Sequence, residues 1–133
     1  MEKPCHHYEC RVNFSDTDAS GRAHFTAILV YAERAEHDLL RSHGIDVLVP
    51  GKSGWPRASV RCDYRKPLFF DDPVAVKLAL QGVGRSSLSW SFEILHSGTR
   101  EVAATGEIVT VKVNEQGVPM ELPASEREAL GDA

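Results

Sequence analysis

Residues 14–28 read Phe-Ser-Asp-Thr-Asp-Ala-Ser-Gly-Arg-Ala-His-Phe-Thr-Ala-Ile, and the fold of this chain turns on how that stretch is read. It ends a strand, makes a polar turn carrying the carboxylates Asp16 and Asp18, and runs straight into an apolar helix. Working backwards, residues 8–14 alternate. Tyr8, Cys10, Val12 and Phe14 share one face and Glu9, Arg11 and Asn13 the other, the period-two pattern of a half-buried strand. Working forwards, Thr26 reads as the N-cap of a helix in which Ile28, Ala32, Ala35 and Leu39 recur at helical spacing, with Tyr31 and Leu40 widening the stripe. Gly44 stands where a helix C-terminus calls for a residue that takes positive φ. The length of this helix suits a central core element.

Beyond it, Pro50, Gly51, Ser53, Gly54 and Pro56 mark residues 45–56 as a loop. Four strands are predicted next: 57–66; 73–82, alternating through Val74, Val76, Leu78 and Leu80; 87–95, through Leu88, Trp90, Phe92 and Ile94; and 101–113, ending in Val109, Val111 and Val113. The breaks at Gly82-Val83-Gly84 and His96-Ser97-Gly98 are short enough for antiparallel hairpins. A short helix is predicted over 124–130. Strand, long helix, then four antiparallel strands is an α+β order rather than βαβ alternation. One helix covers one face of a five-stranded sheet, so the sheet is expected to curl around it and to bury surface against another subunit.

The 133 residues fit one domain, 1–133. With 42% apolar and 26% charged residues the composition is that of a soluble globular chain. A net charge of −4 argues against a nucleic-acid-binding face, although a local basic patch can still hold an anionic ligand. Cys5, Cys10 and Cys62 have no regular spacing, and their odd number suits reduced thiols. Cys5 and Cys10 flank His6 and His7, but no C-x-x-C or H-x-x-x-H pair accompanies them, so no metal is expected. The start of the chain lacks the apolar run of a signal peptide, and no apolar stretch is long enough to span a bilayer; the expected location is the cytoplasm.

A carboxylate at a helix N-terminus is held ionised by the local dipole, and the first-turn N–H groups are free to donate to a developing oxyanion. Asp18 therefore has the position of a nucleophile or general base; the alternative is that Asp16 and Asp18 only make Asx turns. Thr17 and Ser20 are placed to bond the turn backbone, and Gly21 to allow a conformation closed to other residues. Glu33 and His37, four apart, can pair along the helix. Arg65, Lys66 and Arg85 near strand ends suit phosphate groups, or simply solvent. Trp55 and Trp90 suit an aryl or acyl pocket; Trp90, on an apolar strand face, reads as core.

Phe14-x-Asp16-Thr17-Asp18-x-x-Gly21 with Tyr31-Ala32-Glu33-Arg34-Ala35 resembles the hotdog-fold acyl-CoA thioesterases of the 4-hydroxybenzoyl-CoA thioesterase and YbgC type. Tyr64-Arg65-Lys66-Pro67-Leu68-x-x-x-Asp72-x-Val74-x-Val76, Gly84-x-Ser86-Ser87, Phe92-x-Ile94 and Ala104-x-Gly106 follow in the family order, so the likeness runs from residue 8 to 123. The resemblance implies a hotdog fold, a curved antiparallel five-stranded sheet wrapped around one long central helix. It implies hydrolysis of an acyl- or aroyl-CoA thioester, with Asp18 catalytic and the Phe25 backbone N–H polarising the thioester carbonyl. His24 would order water or touch substrate; Gly21, Thr26, Arg65, Lys66 and Arg85 would bind it. No metal or cofactor is implied beyond the coenzyme A of the substrate. The acyl group would arrive on coenzyme A or on acyl carrier protein, and the implied assembly is a homodimer pairing into a homotetramer. Where many relatives read His-x-Asn-Tyr after the turn, this chain reads Phe25-Thr26-Ala27-Ile28. That difference keeps open a hotdog protein that binds acyl thioesters without turnover. A hotdog dehydratase or hydratase is the third reading. Another hotdog branch uses a helix carboxylate, which makes Glu33 the second catalytic candidate.

Overall fold

In the computed structural model, which describes residues 4–131, the apolar stripe becomes the helix α1, Phe25–Ser42. Ile28, Tyr31, Ala32, Ala35, Leu39 and Leu40 are all buried along it, joined by Ala27 and Glu36. The helix ends at His43, and Gly44 follows with φ +73°, the left-handed turn expected of it.

The strands are β1 (Cys5–Arg11), β2 (Ser53–Gly54), β3 (Arg57–Tyr64), β4 (Pro73–Val83), β5 (Ser87–His96), β6 (Val102–Val111) and β7 (Val113–Asn114), and a short helix α2 (Ala124–Ala129) closes the chain. Five strands form one antiparallel sheet in the order β1-β4-β5-β6-β3, while β2 and β7 make a small separate ladder. Val74, Val76, Leu78 and Leu80 of β4 and Leu88, Trp90, Phe92 and Ile94 of β5 are buried with the α1 stripe in one core. On the outer face the register lines up His7, Lys77, Glu93, Thr105 and Asp63 across all five strands, the polar side of a one-sided antiparallel sheet. Among the described residues no helix is long and apolar enough to cross a membrane.

Three local readings are corrected. The first strand runs from Cys5 and stops at Arg11, and Phe14 is 79% exposed rather than inward-facing. A 3-10 turn, Phe14–Asp16, rotates it out: the Thr17 N–H and Oγ–H both donate to the Phe14 carbonyl and the Asn13 N–H donates to Asp16 Oδ2. The N-cap of α1 is His24, not Thr26, which lies inside the first turn. The last predicted strand breaks at Lys112, whose N–H donates to Ser86 and whose carbonyl accepts from Met120. In β6 the buried parity is Ala104, Ile108 and Thr110, leaving Val109 and Val111 half-buried on the outer face. Trp90 selects that parity by donating its indole N–H to Thr110 Oγ1, 3.1 Å away, within the core.

Two close contacts fix how the layers meet. Phe92 lies across from Gly106, where a Cβ would come within 2.4 Å of the Phe92 ring and 2.2 Å of the Arg61 carbonyl oxygen. At the first residue of β3, Arg57 forks between Glu36 Oε1 (2.9 Å) and Glu33 Oε2 (3.0 Å). Glu36 is fully buried, and desolvation pushes its carboxyl up to about 7 against the opposing pull of Arg57. Glu33 thus pairs with Arg57 across the layers. At the far end Lys112 Nζ donates to both oxygens of Glu126 on α2 and sits 5.0 Å above the Trp55 ring.

Gly106→Ala is expected to lower stability by about 2–3 kcal/mol, because backbone as well as a ring must move; a shifted urea midpoint at unchanged slope checks this. For Glu36 the folded pKa lies above the unfolded one, so its contribution is present below the unfolded value of 4.5 and is lost as pH rises through about 7. Glu36→Gln should therefore gain on the wild type in unfolding free energy as pH is raised from 5 to 8, measured by denaturant titration at each pH.

Candidate active site

The two carboxylates of the turn lie in different surroundings. Asp16 points inward: its Oδ2 accepts the Tyr31 hydroxyl (2.9 Å) and the Asn13 N–H (2.9 Å), and its carbonyl accepts the His24 N–H (2.8 Å). Burial, reinforced by that carboxylate, pushes the Tyr31 hydroxyl far above its ordinary range and keeps it a donor. Asp16 therefore ties the 3-10 turn to the middle of α1.

Asp18 faces solvent. Its N–H donates to Arg22 and its carbonyl accepts from Gly21, closing a loop under the Thr17–Ala23 bridge, with Gly21 at φ +81°. Oδ1 accepts the Ser20 hydroxyl at 2.6 Å and the Ser20 N–H at 2.8 Å. Those two bonds, the hydroxyl first, hold the carboxyl below its usual range, and His24 adds a smaller pull in the same direction. Among the described residues Oδ2 takes no hydrogen bond, so one oxygen is fixed and the other is open.

His24 accepts the Thr26 N–H at Nδ1 (3.2 Å) and has the Thr26 hydroxyl 2.7 Å from the same atom. An acceptor at Nδ1 puts the ring proton of the neutral imidazole on Nε2. Phe25, the first residue of α1, has no acceptor for its N–H among the described residues, while its carbonyl accepts the Tyr64 hydroxyl (2.9 Å). The site therefore presents an ionised carboxylate and an unpaired helix N-terminal donor on one exposed surface.

The segment after β3 completes that surface. The Ala23 N–H donates to the Leu68 carbonyl (2.7 Å) and the Phe70 N–H to the Gly21 carbonyl (3.0 Å), so residues 65–70 lie beside the Asp18 turn. Arg65 is exposed there, and Lys66 forms an ion pair with Glu101. Arg85 is not with them. It sits in the β4–β5 turn at the other end of the sheet, roughly 30 Å away along the ten residues of β5. A hairpin puts its turn and its open ends at opposite ends of the sheet, which the nearness of basic residues to strand ends cannot reveal.

Aromatic side chains that the sequence reading did not assign to the site ring this surface. Phe14, Phe25, Tyr64, Phe69 and Phe70 are all exposed large hydrophobics, and of the five phenylalanines only Phe92 is buried. Phe14 and Phe70 meet edge to face at 5.9 Å, and the Arg22 guanidinium lies 5.7 Å over Phe69. The one sequence signal for them was an aromatic pair, Phe69-Phe70, in a turn. Trp55 and Trp90 are core residues and line no part of it. The three cysteines are free thiols, with burial raising Cys10 to about 11, and no cluster of three or more metal-ligating side chains occurs among the described residues.

The family model described as the thioesterase superfamily matches residues 20–103. A protein of Aquifex aeolicus that carries an esterase name is 30% identical over 127 residues, 94% of this chain and 97% of that one. The 1,4-dihydroxy-2-naphthoyl-CoA hydrolase of Thermosynechococcus vestitus is 28% identical over 103 residues, 75% of this chain and 70% of that protein. Among solved structures, a gentisyl-coenzyme A thioesterase superposes with a TM-score of 0.84 at 27% identity, covering 93% of this chain and 98% of that one. A 1,4-dihydroxy-2-naphthoyl-CoA thioesterase from Synechocystis gives 0.88 at 20% identity over 97% of both chains, a likeness of fold alone.

The cap geometry makes one prediction. Asparagine is a strong N-cap and alanine a poor one, so His24→Asn should match the wild type in thermal unfolding while His24→Ala loses about 1 kcal/mol.

Proposed function

We propose that this chain, which belongs to the thioesterase superfamily, hydrolyses an aroyl- or acyl-CoA thioester to the free acid and coenzyme A. The observation that carries the reading is the pairing of an open, ionised Asp18 oxygen with the unpaired Phe25 N–H at the start of α1. The thioester carbonyl oxygen would accept from Phe25 N–H, where charge develops as the carbonyl carbon becomes tetrahedral. Asp18 Oδ2 would attack that carbon to give a mixed anhydride, which water then cleaves to the free acid and the restored Asp18 carboxylate, or it would take a proton from the water that attacks the thioester directly. Coenzyme A thiolate leaves in either case. His24, with its ring proton on Nε2, would direct a donor toward water or substrate above the turn. Gly21 and Thr26 shape the floor of the site.

The aromatic rim favours an aryl acyl group, since rings stack with little loss of side-chain freedom. Relatives named for naphthoyl- and gentisyl-CoA substrates point the same way. Arg65 and Lys66 would meet coenzyme A phosphates, whereas Arg85 would serve only a site completed by a second subunit. Acyl carrier protein is the other carrier to be tried. No metal or further cofactor is needed for this chemistry.

A homodimer is part of the proposal. β3 lies at the sheet edge with Val60 and Tyr64 exposed, next to exposed Val30 on α1; pairing with a partner's β3 would cover the edge and the patch together. Two such dimers would make the tetramer, and three free thiols suit the reducing cytoplasm.

Coenzyme A release across a panel of aroyl- and alkyl-CoA thioesters tests the reading. Asp18→Asn should cut kcat by about 10²–10⁴-fold on aroyl substrates while leaving the melting temperature unchanged, because the side chain is exposed. Full turnover by that variant would end the proposal, and binding without turnover by the wild type would favour the non-catalytic alternative. Single turnover in ¹⁸O-water tests the nucleophilic route: label entering Asp18 marks an anhydride opened at the aspartyl carbonyl, which a general base cannot give.

A further inference from the structure

We infer that Asp72, backed by His96, is a positioning residue that sets the distance between the Asp18 carboxylate and the Phe25 N–H; the inference rests on the catalytic reading of Asp18. Asp72 ends a tight turn begun at Phe69. Its N–H donates to the Phe69 carbonyl (3.0 Å), and its Oδ2 accepts the Phe69 N–H (2.8 Å). The same turn is anchored to the end of β1, where the Val12 N–H donates to the Asp72 carbonyl (3.0 Å) and the Asp71 N–H, at φ +70°, to the Val12 carbonyl (2.8 Å).

Behind Asp72 stands an oriented imidazole. His96 Nδ1 accepts the N–H groups of Gly98 and Thr99, each at 3.1 Å, so the ring proton is on Nε2, which lies 3.6 Å from Asp72 Oδ1. One carboxylate oxygen accepts the Phe69 N–H, and the other faces the imidazole at 3.6 Å, close enough for electrostatic contact but beyond hydrogen-bond distance. An amide that keeps its oxygen on the Phe69 N–H turns its NH2 toward the Nε2–H of His96, donor facing donor.

What this turn holds is the connection between the two reacting groups. The two bonds from the 68–70 segment land on Gly21 and Ala23, and both residues lie between Asp18 and Phe25. Arg22, between them, bridges to Phe69 and covers its ring. A displacement of Phe69 and Phe70 therefore moves the loop that spaces carboxylate from oxyanion donor, and with it two aromatic side chains of the rim. Errors of about 1 Å in such spacing cost rate rather than binding.

The test uses the full chain and four variants, Asp18→Asn, Asp72→Asn, His96→Asn and the Asp72→Asn/His96→Asn double; an asparagine at 96 can still accept the Gly98 and Thr99 N–H groups. On an aroyl-CoA substrate, Asp72→Asn should lower kcat about tenfold with KM within about twofold. His96→Asn should act in the same direction but less, and the double variant should be no slower than Asp72→Asn, as expected of residues acting as one unit. Amide hydrogen exchange at Ala23 and Phe70 should speed up by more than about tenfold while Val76 and Leu78 in β4 stay protected. Wild-type kcat together with wild-type exchange at Ala23 and Phe70 in Asp72→Asn overturns the inference. So does exchange that rises equally in β4, which marks general destabilisation. If Asp18→Asn keeps full activity, the catalytic reading has failed on its own account, and the exchange at Ala23 and Phe70 alone decides whether Asp72 positions this loop.

Discussion

Everything in this molecule depends on one apolar contact, the stripe of α1 against the inner faces of β4 and β5. Ile28, Tyr31, Ala32, Ala35, Leu39 and Leu40 lose all or nearly all of their exposed surface there, as do the alternating residues of the two central strands. Burial on that scale is the main driving force of a domain this size, and it leaves the helix one orientation. The first turn of α1 then lies at the end of the sheet where β1 and β3 end and β4 begins. That end receives the Asp18 turn, the segment after β3 and the exposed aromatic rings.

Within the turn, environment separates two carboxylates that lie two residues apart. Asp16 is held by a tyrosine hydroxyl from the core helix and by the backbone of its own turn. Asp18 has one oxygen on Ser20 and the other open. Divergent surroundings of this kind are how neighbouring acids take different roles. Asp16 also braces the proposed site, because its carbonyl accepts the N–H of His24, the residue that caps the helix ahead of Phe25.

The edge strand explains why so much aromatic and aliphatic surface is left uncovered. β3 is tied to the helix by the Arg57 fork at one end and the Tyr64 hydroxyl at the other, yet among the described residues no strand pairs with its outer edge. Val60, Tyr64 and Val30 form a patch on that side, continuous through Phe25 with the proposed site. A single copy thus leaves this apolar surface beside the proposed site open to solvent.

Much of this was legible in the residues. Period-two alternation located β1, β4 and β5 and the 3.6 period the long helix, because each pattern reports which side of an element meets the core, while β3 and β6 were read from β-compatible runs between breakers. Gly21 and Gly44 took the positive φ their places required. The α+β order and antiparallel hairpins followed from short breaks between strands. What sequence could not decide were relations between elements. That β3 lies at the edge beside β6, that β6 turns Ile108 and Thr110 inward rather than its valines, and that Arg85 stands a full sheet length from Arg65 all depend on strand pairing. Pairing is set by long-range packing, such as Phe92 over Gly106 and Trp90 on Thr110, not by any local pattern. The same holds for the site: carboxylates before a helix were visible in the chain, but that Asp16 is tied to Tyr31 of the core helix while one oxygen of Asp18 stays open was decided by how the turn packs on the helix.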